Sequence, residues 1–272
     1  MPGGKAKARI SVHKFTSCDG CQLTFLDLEE SLLPLTEHVD IAYFAEASSD
    51  YRPGPYDISF CEGSVTTHHE EERLKAIRAD STYVVSLGVC ATHGGIQGLR
   101  HYGRLDDMVS YVYPRPDWVA QTRPESMPFW HYIKVDFQLQ GCPIDRHQLL
   151  ETTTSLLIGK RPYIPTESVC LECKRKGNIC VLVAKNIPCM GPVTHIGCGA
   201  LCPSYDRDCY ACFGPMDDPH PQSYGNELQS RGLEPGDVVR RFLKITSFAE
   251  PFEKEAARYG QQAHQGRLVG PS

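Results

Sequence analysis

Twelve of the thirteen cysteines in this 272-residue chain fall into three groups of four along the sequence. Four thiolates are the ligand set of a cubane [4Fe-4S] cluster, so each group has the composition that one cluster requires. Three clusters in one chain predict a protein that carries electrons rather than one that converts a substrate. The groups are Cys18, Cys21, Cys90 and Cys142; Cys170, Cys173, Cys180 and Cys189; and Cys198, Cys202, Cys209 and Cys212.

Zinc binding and disulfide formation are alternative uses of these thiols. The pairs Cys170-x2-Cys173 and Cys209-x2-Cys212 have the spacing of zinc ribbons, which would make the second half a zinc-stabilised binding module. Disulfides are disfavoured because the thiol count is odd, the chain is too large to need covalent staples and the first residues lack the pattern of a secretory signal. A single free cysteine such as Cys90 or Cys142 could also be a buried core residue.

Composition narrows the class of protein. The chain is 41% hydrophobic and 22% charged, which is typical of a globular protein. Its 28 basic and 33 acidic residues give a net charge of −5, without the basic excess that nucleic-acid binding requires. There is no apolar run of about 18 residues that would span a membrane. We therefore expect a cytoplasmic protein whose partners are neither nucleic acid nor membrane.

The first half of the chain alternates between strand-like and helix-like segments. This alternation predicts an α/β fold, a parallel sheet flanked by helices in the flavodoxin-like doubly wound arrangement. Residues 103–128, which are rich in Tyr, Pro and Asp, look like an insertion in this alternating pattern. The predicted strands are 8–14, 40–45, 56–60, 82–87 and 133–139, and the predicted helices are about 22–33, 66–79 and 145–158.

The first four cysteines follow the ends of predicted strands. Cys18 and Cys21 follow the first strand, Cys90 the fourth and Cys142 the fifth. Because the carboxyl ends of parallel strands share one rim, we expect the fold to bring these thiols together there. The segment Cys18-Asp19-Gly20-Cys21 should turn tightly into a helix whose N-terminal amides favour the negative charge of a cluster. Glycines around Cys90 should let the backbone approach inorganic sulfide.

After residue 160 the composition and the hydrophobic periodicity of the sequence change. Residues 165–221 hold eight cysteines and seven prolines without helical or strand periodicity, so we expect a loop-rich iron–sulfur domain that is organised by bound metal. A helix is predicted over 237–248, followed by a mobile tail in the last dozen residues. The predicted domains are 1–160 with the first cysteine group, 161–235 with the other two, and 236–272 as a C-terminal helix and tail.

In these motifs the chain resembles the small subunit of nickel–iron hydrogenases. The motifs occur in that family's order and separation: Ser17-Cys18-Asp19-Gly20-Cys21-Gln22, Cys61-Glu62-Gly63-Ser64, Gly88-Val89-Cys90-Ala91-Thr92-His93-Gly94-Gly95 and Gly141-Cys142-Pro143. The similarity extends into the cysteine-rich half. A subunit of respiratory complex I is similar to the first half only, and it lacks the eight-cysteine extension.

The resemblance implies a role for each cysteine group. The first would hold the proximal [4Fe-4S] cluster, Cys170, Cys173, Cys180 and Cys189 the distal one, and Cys198, Cys202, Cys209 and Cys212 the medial one. Many membrane-linked relatives have a histidine at the position of Cys170, and many lack one medial cysteine and hold a three-iron cluster. Because Cys202 supplies that thiolate here, we expect three [4Fe-4S] clusters, although interleaved ligation of the last eight cysteines stays open.

The resemblance also implies the activity and the partners. The chain would be a non-catalytic electron-transfer subunit, and the Ni-Fe centre would lie on a separate large subunit that interconverts H2 with protons and electrons. Further partners would be a flavin-containing subunit linked to NAD(P)H and an iron–sulfur subunit, in a hetero-oligomer. The alternative within the family is coupling to a deazaflavin coenzyme, ferredoxin or heterodisulfide reductase.

Four further features carry weaker predictions. Cys61 has no partner at ligand spacing and is expected in the core. Glu62 lies at the same rim and is a candidate for hydrogen bonding near the first cluster or for proton relay; the alternative is an ordinary solvated glutamate at a helix start. His195 is expected beside the ligands or at the surface, and the basic triplet 174–176 is a candidate for steering an acidic partner.

Overall fold

The computed structural model describes residues 7–119 and 122–268, and these form two compact units. The first unit runs to Thr92 and resumes from Arg100 to Ile164. The second comprises His93–Leu99 and the described residues from Pro165 onward. The predicted division at residues 160 and 235 stays a prediction.

A five-stranded parallel sheet is the centre of the first unit. The strands lie in the order β2-β1-β3-β4-β5, which is the flavodoxin-like order and confirms the predicted fold class. The fifth strand is shorter than predicted. The strands are β1 (Ala8–Lys14), β2 (Val39–Phe44), β3 (Tyr56–Glu62), β4 (Ser81–Leu87) and β5 (Phe137–Leu139).

Helices α1 to α5 lie in the connections between the strands of this sheet, and α6 follows the last strand. The predicted helix over 22–33 is wrong in extent, because two helices separated by a short 3-10 turn occupy the region. Pro34 does not end the helix; it lies in the first turn of α2, where a missing N–H costs no intrahelical bond. The helices are α1 (Gly20–Leu26), α2 (Leu32–His38), α3 (His68–Ala79), α4 (Gly88–His93), α5 (Leu105–Val112) and α6 (Arg146–Leu157).

Two apolar clusters support the sheet. One includes Phe25, Phe60 and Leu149, and the other includes Phe15, Leu74 and Phe129. All six side chains are almost completely buried. The buried strands hold the segments at their carboxyl ends in fixed positions, and these segments carry the first four cysteines.

A chain of buried polar groups crosses three strands of the sheet. Ser59 Oγ lies 2.7 Å from both Ser11 Oγ and Ser81 Oγ, and His13 Nε2 lies 2.9 Å from Ser11 Oγ. The His13 ring stacks on Tyr43 with a centroid distance of 4.9 Å. Burial, and then the positive charge of Arg73, lowers the pKa of His13 to about 3.

The pKa of His13 predicts acid sensitivity. Below about pH 6.5 the unfolded chain binds a proton at this position that the folded chain does not, so stability falls as the pH falls towards 3. Between pH 6.5 and pH 5 the loss is about 2 kcal/mol, since each pKa unit corresponds to about 1.4 kcal/mol. We expect the midpoint of thermal unfolding to drop by several degrees in the wild type, and by less in a His13→Phe variant. Equal drops would contradict this assignment.

The second unit has an apolar core of its own. Val169 and Met190 of the cysteine-rich stretch are buried in one cluster with Phe242, Phe252 and Tyr259. Helices from the C-terminal part of the chain supply much of this core, and short helices also lie within the cysteine-rich stretch itself. The helices are α7 (Val169–Arg175), α8 (Val181–Lys185), α9 (Leu201–Ser204), α10 (Pro221–Ser230), α11 (Pro235–Leu243) and α12 (Glu250–Leu268).

The C-terminal segment differs from the predicted tail. Helix α12 continues to Leu268, and residues 269–272 lie outside the described part of the chain. The predicted helix over 237–248 corresponds to α11, which begins and ends earlier. Within the described residues, no helix is both long and apolar enough to cross a membrane.

Candidate metal centres

The four cysteines of the first group lie in the segments that follow three strand ends at one rim of the sheet. Asp19, in the left-handed conformation, turns the chain after β1 into α1, so Cys18 and Cys21 flank the helix start. Cys90 lies in α4, directly after β4, and Cys142 follows β5. The predicted placement at strand ends agrees with these positions.

Several observations place these thiols close together. Burial raises the pKa of Cys21, the negative charge of Glu62 adds to the shift, and the neighbouring thiols Cys90 and Cys142 contribute smaller amounts. Burial raises the pKa of Cys142 as well, and the neighbouring Cys18 adds to the shift. The structure therefore brings all four thiols of the first group to one place.

The loop around Gly88 fits a bulky group held by these thiols. Gly88 has a φ of +80°, and a Cβ added there would overlap Cys21 Sγ and lie 3.2 Å from the Gly141 carbonyl oxygen. The Val89 N–H donates to that same carbonyl at 2.8 Å. The absence of a side chain at Gly88 leaves the sulfur of Cys21 its space, so the donor set and its cradle suit an iron–sulfur cluster.

The carboxylate of Glu62 lies at the N-terminus of α1, where the sequence predicts that the backbone amides face a cluster. Its side chain is only 2% exposed, and its carboxylate accepts the Cys21 and Gln22 N–H groups, each at 3.1 Å. These are the free amides of the first turn of α1. Burial raises the pKa of Glu62, while the two amides oppose the shift. The amides therefore stabilise Glu62, and Glu62 fixes the backbone that carries Cys21.

One of the glycines after Cys90 packs closely against an aromatic side chain, and their predicted approach to sulfide stays a prediction. A Cβ added at Gly94 would lie 2.7 Å from the ring of Phe248, and Gly98 similarly approaches Ser247. The Phe248 N–H also donates to the His93 carbonyl at 3.1 Å. At Gly94, glycine is required for close packing against a side chain.

The second group of cysteines gathers around α7 and α8 in the second unit. Burial, followed by the neighbouring thiols Cys189, Cys173 and Cys180, raises the pKa of Cys170 to about 11. A Cβ added at Gly191 would lie 3.4 Å from Cys189 Sγ and 3.6 Å from Cys170 Sγ. All four thiols of this group are thus close neighbours.

The third group is seen as two close pairs. Cys202 contributes to the raised pKa of Cys198, about 11, and Cys212 to that of Cys209; burial is the main cause in both. The Cys209 N–H donates to Cys189 Sγ at 3.3 Å, so the second and third groups adjoin there. The predicted division of the eight cysteines between two clusters stays a prediction.

One carboxylate links the second and third groups. Glu172 lies between Cys170 and Cys173 on α7, and it accepts the Gly197 N–H at 3.1 Å and the Ala200 N–H at 2.9 Å. Its Oε2 is also 3.8 Å from Cys198 Sγ. Sequence reasoning missed Glu172. Its only signal was an acidic residue inside a Cys-x-x-Cys pair.

Cys61 and His195 lie in the interior. Cys61 is fully buried in the cluster that contains Phe15, as expected for a core thiol. His195 is 5% exposed, and its Nδ1–H donates to the Ile196 carbonyl at 2.6 Å. Burial lowers the pKa of His195. The alternative of a surface position for His195 was therefore wrong.

Burial of the thiols has a consequence for metal loading. A thiolate is the form that binds metal, and without metal, burial disfavours that form in both units. Metal binding must therefore release protons from these cysteines, which couples loading to pH and to folding. Among the described residues, no group of three or more His, Cys, Asp or Glu side chains is arranged to hold a single metal ion.

Comparison with known proteins identifies the family. A family described as the 20 kDa subunit of NADH ubiquinone oxidoreductase matches residues 18–156. Sulfhydrogenase 2 subunit delta from Pyrococcus furiosus is 36% identical over 219 residues, which cover 77% of this chain and 87% of the relative. The chain belongs to the nickel–iron hydrogenase small-subunit family.

Other hydrogenase small subunits match different lengths of this one. The matched chain of the F420-non-reducing hydrogenase vhu from Methanococcus voltae is 29% identical, and the match covers 91% of this chain and 94% of the relative. A crystal structure of an NAD+-reducing [NiFe]-hydrogenase in the H2-reduced state has 27% identity and a TM-score of 0.54. It covers 59% of this small subunit and 96% of the matched chain.

The family carries iron–sulfur clusters in its small subunits and binds Ni-Fe in the partner subunit. The proposed ligands of the first cluster, from Cys18 to Cys142, fall within the matched residues 18–156. The eight later cysteines lie beyond that match, in the second unit.

Proposed function

We propose that this chain conducts electrons through three [4Fe-4S] clusters between the Ni-Fe site of a hydrogenase large subunit and a further electron carrier. The observation that carries the proposal is the convergence of Cys18, Cys21, Cys90 and Cys142 on one rim of the sheet. When bound, such clusters supply one-electron carriers whose potentials depend on charge, hydrogen bonds and exposure. The proposed sets are the proximal one just named, a distal one of Cys170, Cys173, Cys180 and Cys189, and a medial one of Cys198, Cys202, Cys209 and Cys212.

The chain's own residues hold and tune these sets. Gly88 leaves space for the Cys21 sulfur, and Glu62 anchors the backbone at Cys21 by two hydrogen bonds. In the second unit Glu172 holds the loop that carries Cys198. Hydrogen bonds such as the one from the Cys209 N–H to Cys189 Sγ lower the electron density on a cluster sulfur and raise its potential.

For the far end of the electron path we propose a flavin-containing, NAD(P)H-linked subunit and an iron–sulfur subunit in the cytoplasm. The similarity to the small subunit of an NAD+-reducing hydrogenase supports this acceptor. Neither nucleic acid nor membrane is a partner in this proposal.

A second candidate acceptor is favoured by the extent of the matches. The NAD+-reducing structure covers 59% of this chain, whereas the F420-non-reducing hydrogenase from Methanococcus voltae covers 91%. The longer match supports coupling to ferredoxin or heterodisulfide reductase as the second candidate.

Purification of the native complex tests both levels of the proposal. A brown complex with a large subunit and about twelve irons per small subunit, four for each cubane, is expected. A colourless protein that contains zinc would replace the proposal with a zinc-stabilised module. A co-purifying flavoprotein that reduces NAD(P)+ with H2 supports the first acceptor, and its absence from an H2-oxidising complex supports the second.

Cys202 decides whether the medial set holds four irons. In a Cys202→Ser complex we expect the loss of roughly one iron and the electron paramagnetic resonance signal of an oxidised three-iron cluster, since one thiolate ligand is missing. The matched control is Cys61→Ala, which removes a buried thiol outside the three sets and should leave the iron content unchanged. An unchanged spectrum in Cys202→Ser would show that Cys202 is not a ligand.

A further inference from the structure

Two exposed segments of the second unit form one continuous surface. Residues 174–186 and 201–207 are joined by the hydrogen bond from Asn178 Nδ2 to Ser204 Oγ at 3.0 Å. A salt bridge of 2.7 Å between Lys185 and Asp206 joins them at a second point. We name this surface the α8–α9 face.

The centre of the α8–α9 face is apolar and open to solvent. Four large apolar side chains are exposed there: Ile179 (69%), Val183 (73%), Leu201 (59%) and Tyr205 (75%). Single exposed apolar residues are common, but a group of this kind marks an interaction surface. An apolar centre within a polar rim is the usual anatomy of a protein–protein interface.

The rim of the same face is positively charged. Lys174, Arg175, Lys176, Lys185 and Arg207 are exposed there, and Asp206 is the one acidic residue in the two segments. The chain as a whole carries a net charge of −5, so this local excess runs against its overall balance. A partner that complements this face must be acidic around an apolar centre.

Candidate cluster ligands reach this face from both late groups. Cys180 is exposed, and Cys173 and Cys202 are partly exposed on or beside the same two segments. Cysteines of both the proposed distal and the proposed medial set are therefore accessible to solvent at this face. A protein bound here would therefore approach the cluster ligands directly.

We propose that the α8–α9 face is the docking surface for an acidic electron-carrying protein with an exposed apolar patch. The proposal rests on the proposed function, because it assigns the exit from the electron path. The basic rim attracts the carrier and sets the association rate, while Ile179 and Val183 provide the contact that holds it. In the reaction one H2 yields two protons and two electrons, and two molecules of a one-electron carrier accept one electron each.

The test uses the purified hydrogenase complex and three electron acceptors. An acidic [2Fe-2S] ferredoxin is the probe, basic cytochrome c is the charge control, and methyl viologen reports H2 oxidation without protein docking. The triple variant Lys174→Gln/Arg175→Gln/Lys176→Gln should lower the second-order rate constant for ferredoxin about tenfold at low salt. The difference should shrink at high salt, because salt screens exposed charges. The rate with methyl viologen should not change.

A second variant tests the apolar centre. Ile179→Ser/Val183→Ser should weaken ferredoxin binding about tenfold at all salt concentrations, because no charge is altered. Matched controls outside the face are Lys160→Gln/Arg161→Gln/Lys254→Gln for charge and Ile158→Ser/Tyr163→Ser for exposed apolar area, and neither should affect ferredoxin.

The outcomes separate this proposal from the proposed function. Wild-type rates with ferredoxin in both face variants, or an equal loss with cytochrome c, would overturn the docking surface. If a variant loses iron, the salt dependence of the wild-type complex decides, because a rate that does not fall with salt contradicts a charged docking surface. A wild-type complex that does not reduce methyl viologen with H2 refutes the proposed function instead, and equilibrium binding of ferredoxin still tests the face.

Discussion

A Gly88→Ala complex is expected to lack the proximal cluster and to have lost H2-dependent reduction of methyl viologen. The added Cβ would overlap Cys21 Sγ and press on the Gly141 carbonyl, whose neighbour is Cys142. Gly88 also precedes Cys90 by only two residues. One methyl group therefore disturbs the positions of three of the four proposed ligands.

The expected size of this effect follows from sterics and strain. At a φ of +80°, alanine costs about 1–2 kcal/mol more than glycine from backbone strain alone. The overlap with sulfur adds to this, because close-packed interiors do not yield to an extra methyl group without displacement. We expect about four fewer irons, the content of one cubane. The measurements are iron content and viologen reduction.

Gly159→Ala is the matched control for Gly88→Ala. Gly159 has a similar φ of +70°, but nothing lies within 4 Å of an added Cβ. This variant should lose about 1–2 kcal/mol of stability and keep its iron and its activity. If Gly88→Ala also keeps both, the four thiols of the first group do not hold a cluster in the arrangement described.

The convergence of the first four cysteines was predictable because it depends on strand order. Parallel strands end at one rim, so cysteines placed after β1, β4 and β5 must meet there even though 121 positions separate Cys21 from Cys142. The positions of the strands can be predicted from short hydrophobic segments of the sequence and from their alternation with helical segments. Bounds were less predictable, as in the division at Glu29–Ser31, where a 3-10 turn interrupts what periodicity alone joins.

The polar partners of the site were not predictable in the same way. Glu62 was placed at the rim, but periodicity does not show that its carboxylate accepts the amides of α1 in place of a cluster. Such a contact depends on the direction in which a side chain at the end of β3 points towards the segment that follows the neighbouring strand β1. The core of the second unit was missed for a related reason: α10 to α12 lie far along the chain from the cysteines that they cover.

Removal of the negative charge at Glu172 is expected to raise the reduction potential of the cluster that we propose Cys198 helps to hold. Glu172 Oε2 lies 3.8 Å from the sulfur of Cys198, and a nearby negative charge disfavours the addition of an electron. A unit charge at about 10 Å and an effective dielectric constant of about 20 contributes about 1.7 kcal/mol. For a one-electron couple this corresponds to roughly 70 mV. Redox titration of the Glu172→Gln complex by electron paramagnetic resonance measures the shift.

The same substitution has a structural effect that must be separated from the charge effect. The carboxylate accepts two backbone N–H groups, from Gly197 and Ala200, whereas an amide has one oxygen and would direct an NH2 group at one of them. A lost hydrogen bond to a charged group costs about 1.5–3 kcal/mol, so the loop should loosen and lose iron faster on heating. A loosened loop alone would broaden the titration without a consistent direction. A positive shift is therefore the signature of charge.

Glu167→Gln supplies the control for both effects. Glu167 is exposed, and its carboxylate accepts only the adjacent Thr166 N–H at 3.1 Å, while its backbone carbonyl keeps the Ile196 N–H at 2.9 Å. This variant also removes one negative charge, just before α7. It leaves the hydrogen bonds from Glu172 to the loop that carries Cys198 intact. We expect a shift well below that of Glu172→Gln, because water screens an exposed charge. Equal potentials in the two variants would mean that Glu172 acts on the loop and not on the cluster.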